Sequence, residues 1–354
     1  MDKMIRWGFL GCGKVVQKKS GEAFRTVPNS TISVIMRRDL DAAKESAIRF
    51  GAPQWCDSIE ELLSKDIDAV YIATPPGLHY EQAMKCLAAG KAVYLEKPFA
   101  RNYTEAKALT EAFEEKGVPL YVGHYRRALP RFLKLRQMLQ DQVIGEVRSI
   151  DFYLNRIFSP KEAQNTWLYN PVLSGGGKYF DIAPHTVDII NFLFGNIKEV
   201  ESCVENLGVG CPLENIVEMK FITEKGVLGK AIFNCVADTK SDRMHVVGTE
   251  GTMEFSVHGK TDVIVKDKEG NVVDSFDLPD PEAVEESMVR SVVEDLLGIS
   301  NCESKAKEVV VTYQIIDQVL DTYYGGRSDE FWNHQERYGT IEPLNNLDTS
   351  ICFK

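Results

Sequence analysis

The sequence predicts two folded domains: a parallel, doubly wound α/β sheet, followed by an α+β domain built on a large, mostly antiparallel open sheet. Over the first 125 residues, short apolar runs alternate with helical stretches, and a glycine turn follows the first run. After Arg127, β-type segments follow one another through short glycine-containing turns. Regular exchange of strand and helix gives a parallel sheet, whereas consecutive strands joined by tight turns give an antiparallel one. We therefore expect domains at residues 1–125 and 126–326, and a tail at 327–354 that packs on the body.

Apolar runs ended by turn residues mark the strands of the first domain. These predicted strands are Ile5–Leu10, Thr31–Met36, Ala69–Ala73, Ala92–Leu95 and Leu120–Val122. The segment after the first strand is able to be helical, and further helices are predicted at Asp41–Phe50, His79–Ala89 and Thr104–Lys116. Gly90 directly follows one of them as a helix stop. In such a sheet the ligand lies beyond the carboxyl ends of the strands.

The second domain has a different order of elements. Its strands are predicted at Val147–Asn155, Glu199–Glu205, Val217–Ile222, Lys230–Cys235, Met244–Val247, Thr252–Ser256 and Asp262–Val265. Its helices are predicted at Pro130–Gln140, Asp181–Phe194, Pro281–Leu297 and Ser304–Tyr323. Turns at Lys225-Gly226 and Glu269-Gly270-Asn271 favour an antiparallel sheet with helices on one face.

Composition excludes several classes of protein. The chain has 354 residues, 44% of them hydrophobic, and a formal net charge of -11 without a long run of like charges. This balance argues against a general nucleic-acid or anionic-membrane surface. No apolar run approaches membrane-spanning length and the charged start of the chain is unlike a secretory signal, so we expect a cytoplasmic protein. The eight cysteines form no CxxC pair, which indicates reduced thiols and neither a disulfide frame nor a zinc site.

The first glycine turn resembles a phosphate-binding turn. Gly11-Cys12-Gly13-Lys14-Val15 matches the start of the dinucleotide fingerprint, in which glycines let the backbone approach a pyrophosphate at a helix N-terminus. The third glycine is missing, because Val16 stands where close helix packing normally needs Gly or Ala. The same residues also fit an ordinary turn.

The end of the second predicted strand indicates which nucleotide would bind. A carboxylate there binds the ribose diol of NAD, but here the sequence is Met36-Arg37-Arg38-Asp39. A guanidinium fork suits a 2′-phosphate, so NADP(H) is preferred and NAD(H) stays possible. The alternative is a solvated basic turn, with Asp39 or Asp41 available to a ribose.

A histidine and two carboxylates fit proton transfer. Oxidising a secondary alcohol needs a base for the hydroxyl proton while hydride leaves carbon, and histidine has a suitable pKa near neutrality. On a helix, Asp181 and His185 are four residues apart and Asp188 follows three later, so all three share one face. A lone histidine is often structural, and Asp-x-x-x-His also suits a metal pair. Two ligands are too few for a metal site, so we expect none.

Lys97 follows an apolar strand within Glu96-Lys97-Pro98. Its ammonium would hydrogen-bond the alcohol and stabilise developing alkoxide charge, making it a catalytic and substrate-binding candidate beside His185 and Asp181. The alternative is a surface lysine at a strand end. Glu96 either orients Lys97 or contacts the cofactor, and we expect Glu96, Lys97 and Pro98 to line the cofactor site.

Other candidates follow the remaining strands. Thr74, Pro75 and His79 are placed to line the pyrophosphate or nicotinamide, although His79 also fits a plain helix start.

Tyr125, Arg126 and Arg127 end the last strand of the first domain, where substrate would enter. Either arginine binds a substrate oxyanion or braces acidic residues at the domain junction, and we also expect Arg126 to contact the cofactor. Trp167 and Tyr169 either stack on a sugar face or pack in the core.

Four segments together resemble a known family. These are Gly11-Cys12-Gly13, 68–75, Glu96-Lys97-Pro98 and 175–188. Over residues 5–324 the chain resembles the glucose-fructose oxidoreductase / inositol dehydrogenase / rhizopine catabolism (Gfo/Idh/MocA) family. The resemblance implies an N-terminal Rossmann domain, a cis Lys97-Pro98 peptide, and a C-terminal sheet used in homodimer or homotetramer contacts. Within that family, the Arg37-Arg38 pair resembles the sequence of NADP-preferring members such as dihydrodiol dehydrogenases and anhydrofructose reductases.

We therefore expect an NADP(H)-dependent oxidoreductase that transfers hydride between nicotinamide and a secondary alcohol or ketone of a sugar, cyclic polyol or dihydrodiol. Two alternatives stay open. One is a noncatalytic NAD(P)-binding regulatory protein, and the other is a redox-neutral glycoside-cleaving enzyme with tightly held NAD. The loops that read ring size and stereochemistry are not visible in the sequence pattern, so the substrate itself is not predicted.

Overall fold

The computed structural model describes residues 3–157, 167–207 and 213–334. These residues form two compact units: the first comprises 3–128 and 281–310, and the second comprises the described residues of 129–280 and 311–334. We predicted that the first domain would be one continuous segment ending at residue 125. In the structure, residues 281–310 also belong to the first unit. The predicted tail is described only as far as residue 334, and Cys211 and Cys352 lie outside the described residues.

The first unit contains a six-stranded parallel sheet in the order β3-β2-β1-β4-β5-β6, which confirms the doubly wound prediction. Its strands are β1 (Ile5–Leu10), β2 (Ser30–Met36), β3 (Gln54–Cys56), β4 (Ala69–Ile72), β5 (Ala92–Leu95) and β6 (Leu120–Val122). Every residue of β4, β5 and β6 is buried, so these strands read as unbroken apolar runs. Strand β3 is missing from the sequence prediction because it is three residues long and two of them are exposed.

The helices of the first unit begin and end at recognisable residues. They are Ala23–Thr26, Leu40–Phe50, Ile59–Ser64, His79–Ala88, Tyr103–Lys116 and Glu286–Leu296, and the first five residues of Ala306–Tyr324 also belong here. Asn102 caps Tyr103–Lys116 by accepting from the N–H of Glu105 at 2.8 Å, and Gly117 ends it with a φ of 64°. The predicted helix Pro281–Leu297 begins only at Glu286.

The second unit contains an eight-stranded sheet in the order β14-β13-β12-β11-β7-β10-β9-β8. Its strands are β7 (Val147–Ile157), β8 (Ile197–Glu205), β9 (Ile216–Thr223), β10 (Leu228–Ala237), β11 (Ser241–Gly248), β12 (Gly251–Phe255), β13 (Asp262–Asp267) and β14 (Val272–Asp277). Among the strand pairs described in this sheet, only β7 and β10 are parallel, which confirms the mostly antiparallel prediction. Gly226 and Gly270, with φ of 78° and 86°, form the two turns expected from the sequence. Strand β14 was not predicted because five of its six residues are exposed.

Three helices and the rest of Ala306–Tyr324 belong to this unit: Pro130–Gln140, Pro171–Ser174 and Lys178–Phe194. We call the last one the His185 helix. It is buried on nearly every side and starts three residues before the predicted Asp181. Among the described residues, no helix combines the length and the apolar character needed to cross a membrane.

Candidate active site

Three strand ends meet at the carboxyl edge of the parallel sheet in the first unit. The β1 turn begins at Gly11, whose N–H donates to the Met36 carbonyl at 3.0 Å and whose φ is 88°. A Cβ at Gly11 would lie 3.0 Å from both the Ala73 carbonyl oxygen and Cγ2 of Thr74. Glycine is therefore required here, because it lets the β1 turn pack against the β4 turn where the order of strands reverses.

The next residues of the turn face outward. Gly13, Lys14 and Val15 are exposed, and a Cβ added to Gly13 would meet no atom of the described residues within 4 Å. Packing within the unit therefore does not demand the glycine, whereas close approach of a phosphate to the backbone would. Cys12 is buried, and burial raises the pKa of its thiol. Only its backbone is available to a ligand at this turn.

The missing third glycine has a structural counterpart. Val16 is buried and opens a short π-helical turn, Val16–Ser20, in place of a regular α-helix. Gly21 follows, and a Cβ there would lie 2.5 Å from the Phe50 ring. In the fingerprint, the third glycine allows a close packing contact of the helix. In this chain Gly21, five residues after Val16, allows a close contact with Phe50.

The basic turn after β2 uses its polar groups in two ways. One guanidinium nitrogen of Arg37 lies 3.3 Å from the Ala42 carbonyl and 3.3 Å from Oγ of Ser46, so part of its fork braces the following helix. Asp39 caps that helix, because its Oδ1 accepts from the N–H of Ala42 at 3.0 Å. Arg38 is exposed.

Lys97 lies directly beyond β5, at the same edge as the two turns. Its neighbour Glu96 is tied to β4, because its N–H donates to the Ile72 carbonyl at 2.9 Å. The Lys97-Pro98 peptide is cis, as the family resemblance implies. Lys97 itself is half-buried.

His79 joins the β4 and β5 loops and is itself fully buried. Its Nδ1 lies 3.0 Å from the Pro98 carbonyl oxygen, and its Nε2 lies 2.8 Å from that of Thr74. Burial lowers the pKa of His79 to about 4, so the ring is neutral near pH 7. We expected His79 to contact the cofactor. Its ring is instead buried between the two loops and braces them, so the side chain has no surface exposed to a ligand.

Glu96 is also buried and belongs to a carboxyl pair. It accepts a hydrogen bond from the Tyr71 hydroxyl, which is 2.7 Å from Oγ of Ser20. Burial raises the pKa of Glu96, whereas the hydrogen bond from Tyr71 and the positive charge of Lys97 act to lower it. A second carboxyl, Glu285, is 1% exposed, and burial together with Glu96 raises its pKa well above the usual range. Glu285 was not predicted, because nothing in the local sequence distinguishes it from an ordinary helix glutamate.

The segment after β6 carries three of the residues that the sequence singled out. Tyr125, Arg126 and Arg127 are all buried, and the Arg126 guanidinium lies 4.8 Å from the centre of the Tyr125 ring. Arg127 donates to the backbone carbonyl of Glu303 at 2.8 Å. Arg127 therefore braces a backbone carbonyl of the same unit.

In the second unit, the predicted proton-transfer residues share the His185 helix. Asp181 is one turn from the start of the helix and forms an ion pair with Lys178 at 3.6 Å. His185 follows one turn later and is 7% exposed. Pro184 lacks an N–H, so the helix loses one internal hydrogen bond beside the histidine. Asp188 is buried and accepts from the Thr312 hydroxyl at 3.4 Å, which fits a structural role.

A second histidine, which we did not predict, contacts this helix. The His258 ring lies edge to face with His185, with centroids 5.9 Å apart, and its Nε2 is 2.8 Å from Oγ1 of Thr186. Asp242 holds the loop that carries His258, because its carboxylate accepts from the N–H groups of His258 and Gly259 at 2.6 and 2.5 Å. A lone histidine in a loop between strands gives no sequence signal of this kind.

The remaining candidates differ in exposure. Trp167 is half-buried and Tyr169 is 7% exposed, so Tyr169 packs in the core. Within residues 3–157, 167–207 and 213–334, no group of three or more His, Cys, Asp or Glu side chains is arranged to hold a metal ion.

Both parts of the chain match known families of domains. Residues 5–124 match the Oxidoreductase family with an NAD-binding Rossmann fold, and residues 132–254 match the GFO/IDH/MocA C-terminal domain. Together these matches cover more than half of the chain.

Individual proteins extend the likeness. An oxidoreductase of Formosa agariphila is 34% identical over 328 residues, covering 91% of this chain and 100% of that protein. Trans-1,2-dihydrobenzene-1,2-diol dehydrogenase of Sus scrofa is 26% identical, covering 71% of this chain and 74% of that protein. Levoglucosan dehydrogenase, solved with NADH and levoglucosan, shares the fold with a TM-score of 0.82 at 19% identity, over 90% of this chain and 97% of that one. The chain belongs to the Gfo/Idh/MocA family and is an NAD(P)-dependent oxidoreductase acting on CH–OH groups.

Proposed function

We propose that this protein is an NADP(H)-dependent dehydrogenase or reductase of a sugar, a cyclic polyol or a dihydrodiol. The observation that carries the proposal is the position of Lys97, directly beyond β5 at the sheet edge where the glycine turn and the Thr74 turn pack together. That edge is where a doubly wound sheet binds its ligand. A relative named as a diol dehydrogenase supports the substrate class.

The cofactor assignment follows from the exposed groups of the first unit. Gly11, Gly13 and the adjacent backbone would hold the pyrophosphate, and Thr74 and Pro75 would line the dinucleotide. Arg37 and Arg38 would bind the 2′-phosphate, whose two negative charges suit a guanidinium fork.

Each catalytic residue then has one task. The nicotinamide, when bound, supplies the hydride chemistry. The Lys97 ammonium donates a hydrogen bond to the substrate oxygen and stabilises negative charge there. A ring nitrogen of His185 accepts the hydroxyl proton during oxidation and returns it during reduction, and Asp181 fixes the orientation of the substrate.

The sheet of the second unit supports a proposal for assembly. Its outer face carries exposed apolar side chains, including Tyr153 at 42% and Leu228 at 57% exposure. A groove of 430 Å³ crosses the same strands between Asp151 and Lys220. Exposed apolar surface of this kind fits an interface, so we propose a homodimer or homotetramer through this face. Leu228→Glu should lower the mass measured by light scattering, and an unchanged mass would exclude this face.

A substrate screen with one matched pair of variants tests the function. Purified protein is assayed against sugars, cyclic polyols and aromatic dihydrodiols with NAD and NADP side by side, following absorbance of the reduced nucleotide. Lys97→Met should lower kcat by about 10²–10³-fold, because removing one preorganised charge donor costs that much. Lys107→Met removes an exposed lysine of the same unit and should leave kcat unchanged.

Two outcomes would contradict the proposal. Turnover by Lys97→Met at the wild-type rate would remove Lys97 from the chemistry. NAD that copurifies and stays unexchanged during turnover would instead favour the redox-neutral alternative.

A further inference from the structure

The start of the His185 helix is held by a carboxylate that is remote in the sequence. Glu214, which is fully buried, lies 37 residues beyond Gly177. The N–H of Gly177 donates to its two carboxylate oxygens at 2.8 and 2.7 Å, and the N–H of Phe180 donates at 2.9 Å. The N–H of Lys178 lies 3.2 Å from the backbone carbonyl of Glu214. One residue thus satisfies three N–H groups at this helix end.

A local cap is absent here. Gly177 occupies the N-cap position and has no side chain to accept a hydrogen bond, whereas Ser, Thr, Asp or Asn usually does so. The negative charge of a carboxylate also suits the positive end of the helix dipole. A Cβ on Gly177 would lie 2.4 Å from the Glu214 carbonyl oxygen, so glycine is what allows this approach.

Glu214 is itself fixed by the C-terminal part of the second unit. The Tyr324 hydroxyl donates to its carboxylate. Arg327, which is 1% exposed, donates to the Gly175 carbonyl at 2.9 Å and forms an ion pair with Asp317 at 2.8 Å. The glycine run before the helix is therefore held from both sides by buried charged groups.

We propose that Glu214 is a positioning residue for the reaction: its carboxylate sets the start of the His185 helix and thereby the orientation of Asp181 and His185. Asp181 directly follows Phe180, the last residue with a capped N–H, and His185 lies about one turn beyond Asp181. A shift or fraying of the first turn displaces both side chains, and a misplacement of about 1 Å is enough to cost a large factor in rate. The inference rests on the proposed roles of Asp181 and His185.

The test uses Glu214→Gln in the full chain. The amide keeps the size of the side chain but replaces one acceptor oxygen by a donor, so it cannot accept all three bonds. We expect kcat to fall about tenfold or more, while the Kd for NADPH changes less than about twofold because its proposed site lies in the first unit. In a background that lacks both groups, Asp181→Asn with His185→Asn, Glu214→Gln should change the residual kcat by less than about twofold, since residues that act as a unit are not additive.

A second readout does not need turnover. The ring Cε1–H signal of His185, assigned by its absence in His185→Asn, should move in the spectrum of Glu214→Gln. Glu224→Gln, a variant of an exposed residue directly after strand β9, is the matched control and should leave the signal and kcat unchanged. If Glu214→Gln does not fold, Tyr324→Phe removes one donor to the same carboxylate and should shift the signal in the same direction.

The outcomes separate this inference from the proposed function. Loss of activity in His185→Asn together with normal activity and an unmoved His185 signal in Glu214→Gln would overturn the role of Glu214 alone. Equal loss in both backgrounds would also overturn it, since it would show a general structural effect. Full activity of His185→Asn would contradict the proposed function, and the His185 signal would still report on Glu214.

Discussion

The two glycine turns that carry site residues differ in what their glycines contact. Gly13 in the first unit faces open space, because a Cβ there would meet no described atom within 4 Å. Gly177 in the second unit is packed, because a Cβ there would lie 2.4 Å from the Glu214 carbonyl oxygen and 2.8 Å from its carboxylate. The first glycine keeps room for a ligand, whereas the second keeps room for the protein's own buried carboxylate. Similar sequence patterns thus serve binding in one unit and packing in the other.

The largest expected effect separates the two turns directly. Gly177→Ala should lower the free energy of unfolding by about 2–4 kcal/mol, because the new methyl group must displace backbone or a buried charge. At about 2–4 °C per kcal/mol for a folded unit of this size, the midpoint of thermal unfolding of the second unit should fall by several degrees. Differential scanning calorimetry measures the change, and a midpoint within 1 °C of wild type would show that the turn relaxes freely.

Gly13→Ala is the matched substitution in the other turn. Its Cβ finds open space, so we expect a normal unfolding temperature but a Kd for NADPH that rises about tenfold, because the methyl group opposes close approach of a phosphate to the backbone. Fluorescence titration with NADPH measures the affinity. If Gly13→Ala loses stability and keeps affinity, the contrast between the turns is reversed.

The arginine turn after β2 tests the nucleotide choice with a smaller effect. Arg38→Ala should raise the Kd for NADPH about tenfold, roughly 1.4 kcal/mol, and leave that for NADH within about twofold, since only the 2′-phosphate is affected. Arg25→Ala removes an exposed arginine paired with Glu22 in the same unit and should change neither value. Equal weakening of both nucleotides would assign Arg38 to a shared part of the dinucleotide.

The same contrast explains which parts of the structure the sequence could predict. Strands β4 and β5 and the β1 turn are encoded by neighbouring residues, so buried runs and a glycine motif indicated the fold and the Lys97 edge. Glu214, Glu285 and His258 act through contacts with residues far along the chain, and nothing in their local sequence marks them. The start of the His185 helix was placed three residues late for this reason, because its cap is not local. The periodicity of the sequence predicts local structure. Caps and buried charges that come from distant elements can be identified only in the folded chain.

The buried carboxyl pair gives the smallest effect, but one with a definite sign. Burial and the charge of Glu96 raise the pKa of Glu285 above the value of about 4.3 expected for an unfolded chain. The folded state then binds the extra proton more tightly, so its contribution to stability is complete below pH 4.3 and is lost as pH rises towards the folded pKa. Glu285→Gln carries no proton to lose, so relative to wild type it should gain stability on going from pH 5 to pH 8, on the order of 1 kcal/mol or about 2–4 °C. Glu282→Gln, an exposed neighbour, should show no such gain. A gain that is equal at both pH values would mean that Glu285 does not titrate in this range, and that the amide stabilises the pair by packing alone.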